Sequence, residues 1–151
     1  MIYADSSFIV SAYLADSGTA DALAYLDKHE PRLPFVFLHW PEVAGTFFKH
    51  HANAEKLWDL LREDIADGTK LHPVALDADR VARRAAGLMM NYSRRWPKIR
   101  ALDTMHVAAA VENGDKKFLS FDSTSCQRIL AHSQKLEVWP PLTEEEKARL
   151  K

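Results

Sequence analysis

The chain has 151 residues, a formal net charge of −1, 47% hydrophobic residues and 27% charged residues. That composition fits one soluble globular domain with a full core and excludes an intrinsically disordered protein. It also excludes a bulk basic field, so nucleic-acid contact has to come from a local patch, and the single cysteine, Cys126, excludes an internal disulfide or a cysteine-rich zinc site.

In chain order, Met1 to Asp5 carries no basic stretch leading into an apolar run, so no signal peptide is expected. No apolar stretch of about 18 residues occurs, so no membrane span is expected either. With one cysteine, these features point to a reducing, cytoplasmic setting. Ile2–Ala4 is predicted as a first strand. Ser6 and Ser7 offer a cap for a helix over Phe8–Leu14. Ser17 to His29 repeats the pattern, a capping serine followed by apolar residues at helical spacing, until Pro31 and Pro34 break it. Phe35–Leu38, aromatic and branched, is predicted as a buried strand.

Pro41 suits the first turn of the next helix, where its missing N–H costs nothing. Asn53 is placed to cap a further helix that Gly68 ends. Phe47, Phe48, Leu57, Trp58, Leu60 and Leu61 are core candidates, and the same helices offer an apolar dimer face. Leu71–Leu76 is predicted as a strand and Asp77–Tyr92 as a helix. A polar, basic connection, residues 93–100, leads into a helix over Leu102–Glu112, which ends at Asn113-Gly114. Lys117–Phe121 is a strand, Ser123–Ala131 a helix and Leu136–Trp139 a last strand. Alternating strands and helices predict a three-layer α/β/α sandwich with a mostly parallel central sheet, as one domain over residues 1–140 and a tail over 141–151.

Ligands of open α/β sheets bind beyond the carboxyl ends of the strands. Asp5 and Asp122 directly follow predicted strands, Asp103 begins a helix, and Glu42 lies in the first turn of another. An acidic residue at a helix start is also favoured by capping and by the helix dipole, so each position alone has a purely structural explanation.

The surrounding residues add specificity. Ile2-Tyr3-Ala4-Asp5-Ser6-Ser7-Phe8, Trp40-Pro41-Glu42-Val43, Leu102-Asp103-Thr104-Met105-His106 with its alanine-rich continuation, and Phe118-Leu119-Ser120-Phe121-Asp122 occur in that order. Together they resemble the PIN domain. In size the chain is similar to the toxin ribonucleases of bacterial toxin–antitoxin pairs, the VapC kind. The resemblance implies a metal-dependent endoribonuclease with Mg²⁺ or Mn²⁺ held by Asp5, Glu42, Asp103 and Asp122, a small antitoxin partner and a homodimer. It also implies a further acidic residue close to the last aspartate, where this chain has Ser123-Thr124-Ser125-Cys126. Clustered ionised carboxylates need a neutralising cation, and Mg²⁺ prefers such hard oxygen ligands. Ser6 and Thr104 are placed to orient carboxylates or waters from behind.

Arg94, Arg95, Trp96, Lys98 and Arg100 form the densest basic run, and it leads straight to Asp103. It is read as an RNA contact, with Trp96 as a stacking platform or, alternatively, a core residue. His106 is read as packed, and Cys126 as structural. The alternatives are a catalytically inactive RNA- or protein-binding domain of the same fold and a housekeeping RNA-processing nuclease. A doubly wound phosphatase would want a second aspartate two residues after Asp5, where Ser7 stands, and no glycine-rich phosphate loop appears.

Overall fold

The computed structural model describes residues 1–151 and resolves the chain into two compact units, Ile2–Ala75 and Leu76–Lys151, with Met1 belonging to the second. The first contains β1 (Ile2–Ala4), α1 (Ser6–Tyr13), α2 (Thr19–His29), β2 (Leu33–Phe35), α3 (His39–His50), α4 (Ala54–Asp67) and β3 (Leu71–Pro73). The second contains α5 (Ala78–Tyr92), α6 (Ala101–Glu112), β4 (Lys117–Leu119), α7 (Gln127–Ser133), β5 (Glu137–Trp139) and α8 (Glu144–Leu150).

In the first unit the core is built from Tyr3, Phe8, Ile9, Phe35, Phe47 and Leu61, all fully buried. β2 and β3 pair in parallel, with Pro34 opposite His72 and Phe35 opposite Pro73. Each strand therefore contains a proline, and the register explains how both are tolerated. Leu33 N–H donates to Lys70 O at 2.8 Å and Val74 N–H to Phe35 O at 3.0 Å. The amides that face the partner strand alternate, and Pro34 and Pro73 fall on the positions that face away. This pairing also places β2 two residues earlier than the aromatic run predicted. Val36 to Leu38 instead turns into α3.

Helix starts differ from the expected serine caps. Asp5, not Ser6 or Ser7, caps α1, and α2 begins behind Gly18 without a side-chain cap. The core expectation for α3 and α4 holds for Phe47 and Leu61, whereas Phe48 is 54% and Leu60 47% exposed. Gly68 ends α4 in the left-handed region, as its position suggested.

In the second unit α6 packs on α5 and is buried nearly all round, Val107 to Ala110 being wholly inaccessible. A helix apolar on every side belongs in a core, and its alanines permit close approach. β4 and β5 pair in parallel, Phe118 opposite Val138. α7 begins at Gln127, four residues later than predicted, because residues 123–125 are consumed in a turn around Asp122. The tail is ordered as α8. Thr143 and Glu146 form a capping box at its start, and buried Glu146 pairs with buried Arg128 at 2.8 Å.

Candidate active site

Asp5 is 3% exposed and leaves β1 directly into α1. Its Oδ1 accepts the Phe8 N–H at 3.0 Å and the Ser7 hydroxyl at 2.6 Å. It is thus a helix cap, as the structural explanation requires, and its carboxylate is fixed by that role. Glu42, in the first turn of α3, accepts the Ser6 hydroxyl on Oε1 at 3.0 Å. The residue after Asp5 therefore steadies Glu42, and β1–α1 and α3 are tied together at their carboxylates.

A second tie was not anticipated. His39, wholly buried, accepts the Val36 N–H on Nδ1 at 2.9 Å and donates from Nε2 to Ala4 O at 2.9 Å. Its ring lies between Tyr3 and Phe35, at centroid distances of 5.4 and 5.0 Å. It locks the end of β1 to the start of α3, one residue before Asp5 and three before Glu42. The available signal was a histidine one turn ahead of a candidate ligand.

In the second unit, Asp103 lies in the first turn of α6 and is 8% exposed. Asp122 follows β4 and accepts four bonds, from the amides and hydroxyls of Thr124 and Ser125, at 2.8 to 3.1 Å. Arg100 joins the two: Nε lies 2.8 Å from Asp103 Oδ2 and Nη2 3.5 Å from Asp122 Oδ2. Burial pushes the Asp103 carboxyl above its ordinary range, against the opposing pull of Arg100. Burial acts in the same direction on Asp122, but its hydrogen bonds from Ser125 and Thr124 outweigh it and hold that carboxyl low.

Behind the pair runs a buried network that sequence reading missed. Gln127 Nε2 donates to Asp103 O at 3.3 Å, the Ser120 hydroxyl to Gln127 Oε1 at 3.2 Å, and Asp122 N–H to the Ser120 hydroxyl at 3.1 Å. Arg128 donates to Ser120 O at 2.6 Å. The only trace of this in the sequence is Ser120, a small polar residue interrupting an apolar strand. Thr104 acts differently from expectation. Its hydroxyl donates to Arg100 O at 2.9 Å, so it steadies the backbone of Arg100 and not a carboxylate.

The basic run divides. Trp96 is 4% exposed, stacked on Tyr92 at 4.9 Å, with its Nε1–H donating to Arg149 O at 3.1 Å. It is a core residue, and the stacking-platform reading is corrected: its indole N–H found a partner in the C-terminal helix. Arg95 donates to Leu150 O and to Lys151 O, and lies over the Trp96 ring. Arg94 and Lys98 remain exposed. His106 and Cys126 are buried, as expected.

No group of three or more histidine, cysteine, aspartate or glutamate side chains that could hold a metal ion is gathered in the structure; Asp5 and Glu42 lie in the first unit, Asp103 and Asp122 in the second. All four are hard oxygen donors, which suits Mg²⁺ or Mn²⁺ and not zinc.

No protein-family profile and no curated protein matches the sequence. Solved structures do. VapC20 of Mycobacterium tuberculosis, described as a toxin that cleaves the sarcin–ricin loop, is 15% identical. The alignment covers 82% of this chain and 92% of that one, with a TM-score of 0.66. FitAcB of Neisseria gonorrhoeae is 18% identical over 93% of this chain and 98% of that one, with a TM-score of 0.61. The chain has the VapC-like PIN fold that its motifs resemble, a mixed α/β fold with parallel strand pairing.

Proposed function

We propose that the chain is a divalent-metal-dependent endoribonuclease and the toxin of a toxin–antitoxin pair. The observation that carries this reading is the Asp103–Asp122 pair. It pairs a buried carboxylate, Asp103, with a half-buried one, Asp122, in a PIN fold, and burial pushes Asp103 above its ordinary range even though a guanidinium lies on it. Arg100 supplies one positive charge to these two carboxylates, and a hard divalent cation would supply a stronger one on the same oxygen ligands.

Asp5, Glu42, Asp103 and Asp122 are the residues that would hold Mg²⁺ or Mn²⁺. When bound, such an ion lowers the pKa of a water and offsets charge on the scissile phosphate. The protein's own part is orientation. Ser7 and Phe8 N–H fix Asp5, Ser6 fixes Glu42, and Thr124 and Ser125 fix Asp122. Exposed Arg94 and Lys98 are the residues proposed to meet RNA phosphates. The likeness to VapC20, described as a toxin, supports a small antitoxin as partner. Phe48, Trp58 and Trp40, edge-to-face at 6.5 and 5.9 Å on α3 and α4, support a homodimer through that aromatic surface. No helix is long and apolar enough to cross a membrane, and the proposed site of action is the cytoplasm.

The test is RNA cleavage by the purified chain with Mg²⁺ or Mn²⁺, with EDTA, and in the Asp5→Asn and Asp103→Asn variants. Cleavage should stop in EDTA and fall at least about a hundredfold in either variant, because changes behind a metal ligand alone cost 10–100-fold. Full activity in excess chelator, or in both variants, would overturn the assignment.

A further inference from the structure

Arg100 precedes α6 and its guanidinium caps no backbone group of that helix. Its backbone is anchored: the Thr104 amide and hydroxyl both bond to Arg100 O, at 3.0 and 2.9 Å. Its side chain, 69% exposed, reaches back over Asp103 and Asp122 from the solvent side. A fixed base with an exposed arm can leave its partners without disturbing the fold. On Asp103 and on Asp122 alike, the oxygen it meets is the Oδ2 atom of a proposed metal ligand.

We infer that Arg100 is a resident counter-cation of the Asp103–Asp122 pair, displaced by a divalent ion and drawn away by a phosphate-bearing substrate. A guanidinium and a metal ion on the same oxygens compete, since each satisfies the negative charge the other needs and the two cations repel. A phosphodiester offers the guanidinium an alternative anion with the two-pronged geometry it prefers. Substrate that takes Arg100 thereby frees the carboxylates, so metal and RNA each tighten the binding of the other by the same factor. Arg100 is then a positioning residue that makes metal binding depend on substrate. This rests on the metal reading above and adds its regulation.

The experiment is calorimetric titration of Mn²⁺ into the full chain as wild type, Arg100→Ala, Lys116→Ala and Asp103→Asn. Each is titrated with and without a nuclease-resistant 2′-O-methyl oligonucleotide. Without oligonucleotide, Arg100→Ala should bind Mn²⁺ tighter than wild type by up to about fivefold, the upper end expected for losing a solvent-exposed ion pair. The oligonucleotide should tighten Mn²⁺ binding by a similar factor in wild type and not in Arg100→Ala. Lys116→Ala, which removes one exposed positive charge of the same unit, should match wild type. An equal gain in Lys116→Ala would reduce the effect to net charge and overturn the proposal. So would unchanged or weaker Mn²⁺ binding in Arg100→Ala while Asp103→Asn loses it, a result that leaves the metal centre standing. No Mn²⁺ binding by wild type would overturn both. Thermal denaturation in metal-free buffer checks that Arg100→Ala is folded.

Discussion

Arg128 and Arg100, both in the C-terminal unit, meet carboxylates in opposite ways. Arg128 and Glu146 have side chains only 4% exposed, and the guanidinium also donates to Ser120 O, Pro140 O and Pro141 O. Arg100 lies 69% exposed over Asp103 and Asp122. The first arginine is immobilised on every side and ties α8 to the strand end just before Asp122. The second has a largely solvent-exposed side chain, with Asp103 and Asp122 among its partners. The same ion-pair chemistry thus serves as a clamp where water is excluded and as an exchangeable contact where water enters, because removal from water sets the cost of separating the charges.

The largest expected effect tests the clamp. Arg128→Ala leaves Glu146 buried without its partner and should cost about 3–5 kcal/mol in chemical denaturation. Arg100→Ala should cost no more than about 1 kcal/mol. Comparable losses in the two variants would erase the distinction. Trp96→Ala should resemble Arg128→Ala, costing about 3–5 kcal/mol of stability as a large core truncation; loss of RNA binding in a variant of wild-type stability would return Trp96 to the substrate path.

A subtler effect is one of sign, in metal-free protein near neutral pH. Asp103 has its folded pKa raised, so its protonated form is favoured by folding; stability from that site is present below the ordinary carboxylate range and lost as pH rises. Asp122 has its folded pKa lowered, so its contribution is present above that range and lost on acidification. Asp103→Asn should therefore raise the melting temperature at pH 7, and Asp122→Asn should lower it. Shifts of the same sign in both would contradict the assignment of burial to one carboxylate and hydrogen bonding to the other.

The smallest effect concerns the exposed basic residues. If Arg94 and Lys98 each meet an RNA phosphate, their double alanine variant should reduce the slope of log affinity against log salt by about 0.7 per lost contact. An unchanged slope removes this loop from the RNA path and leaves the carboxylates untouched.

Much of this was legible from local rules. β1 is where the apolar run predicts it, α5 starts behind Asp77, whose side chain accepts from Asp79 and Arg80 N–H, and Gly68 and Gly114 sit at helix ends with positive φ. Asp5, Glu42, Asp103 and Asp122 all lie at strand ends or helix starts, because helical periodicity, capping and turn chemistry act over a few residues that neighbour each other in the chain.

What depended on distant residues was not legible. The basic stretch around Trp96 allows either a stacking platform or a core residue until the C-terminal helix supplies Arg149 O, 53 residues on, to its indole. Nothing near Arg128 in the chain marks it as buried; Glu146, 18 residues later, closes on it. Gln127 became a brace for Asp103, 24 residues before it. The start of α7 moved because Asp122 drew the Thr124 and Ser125 amides into its turn. In each case the side chain's local propensity was compatible with either outcome. Burial decided between them, because an unpaired polar group away from water costs more than any local preference returns.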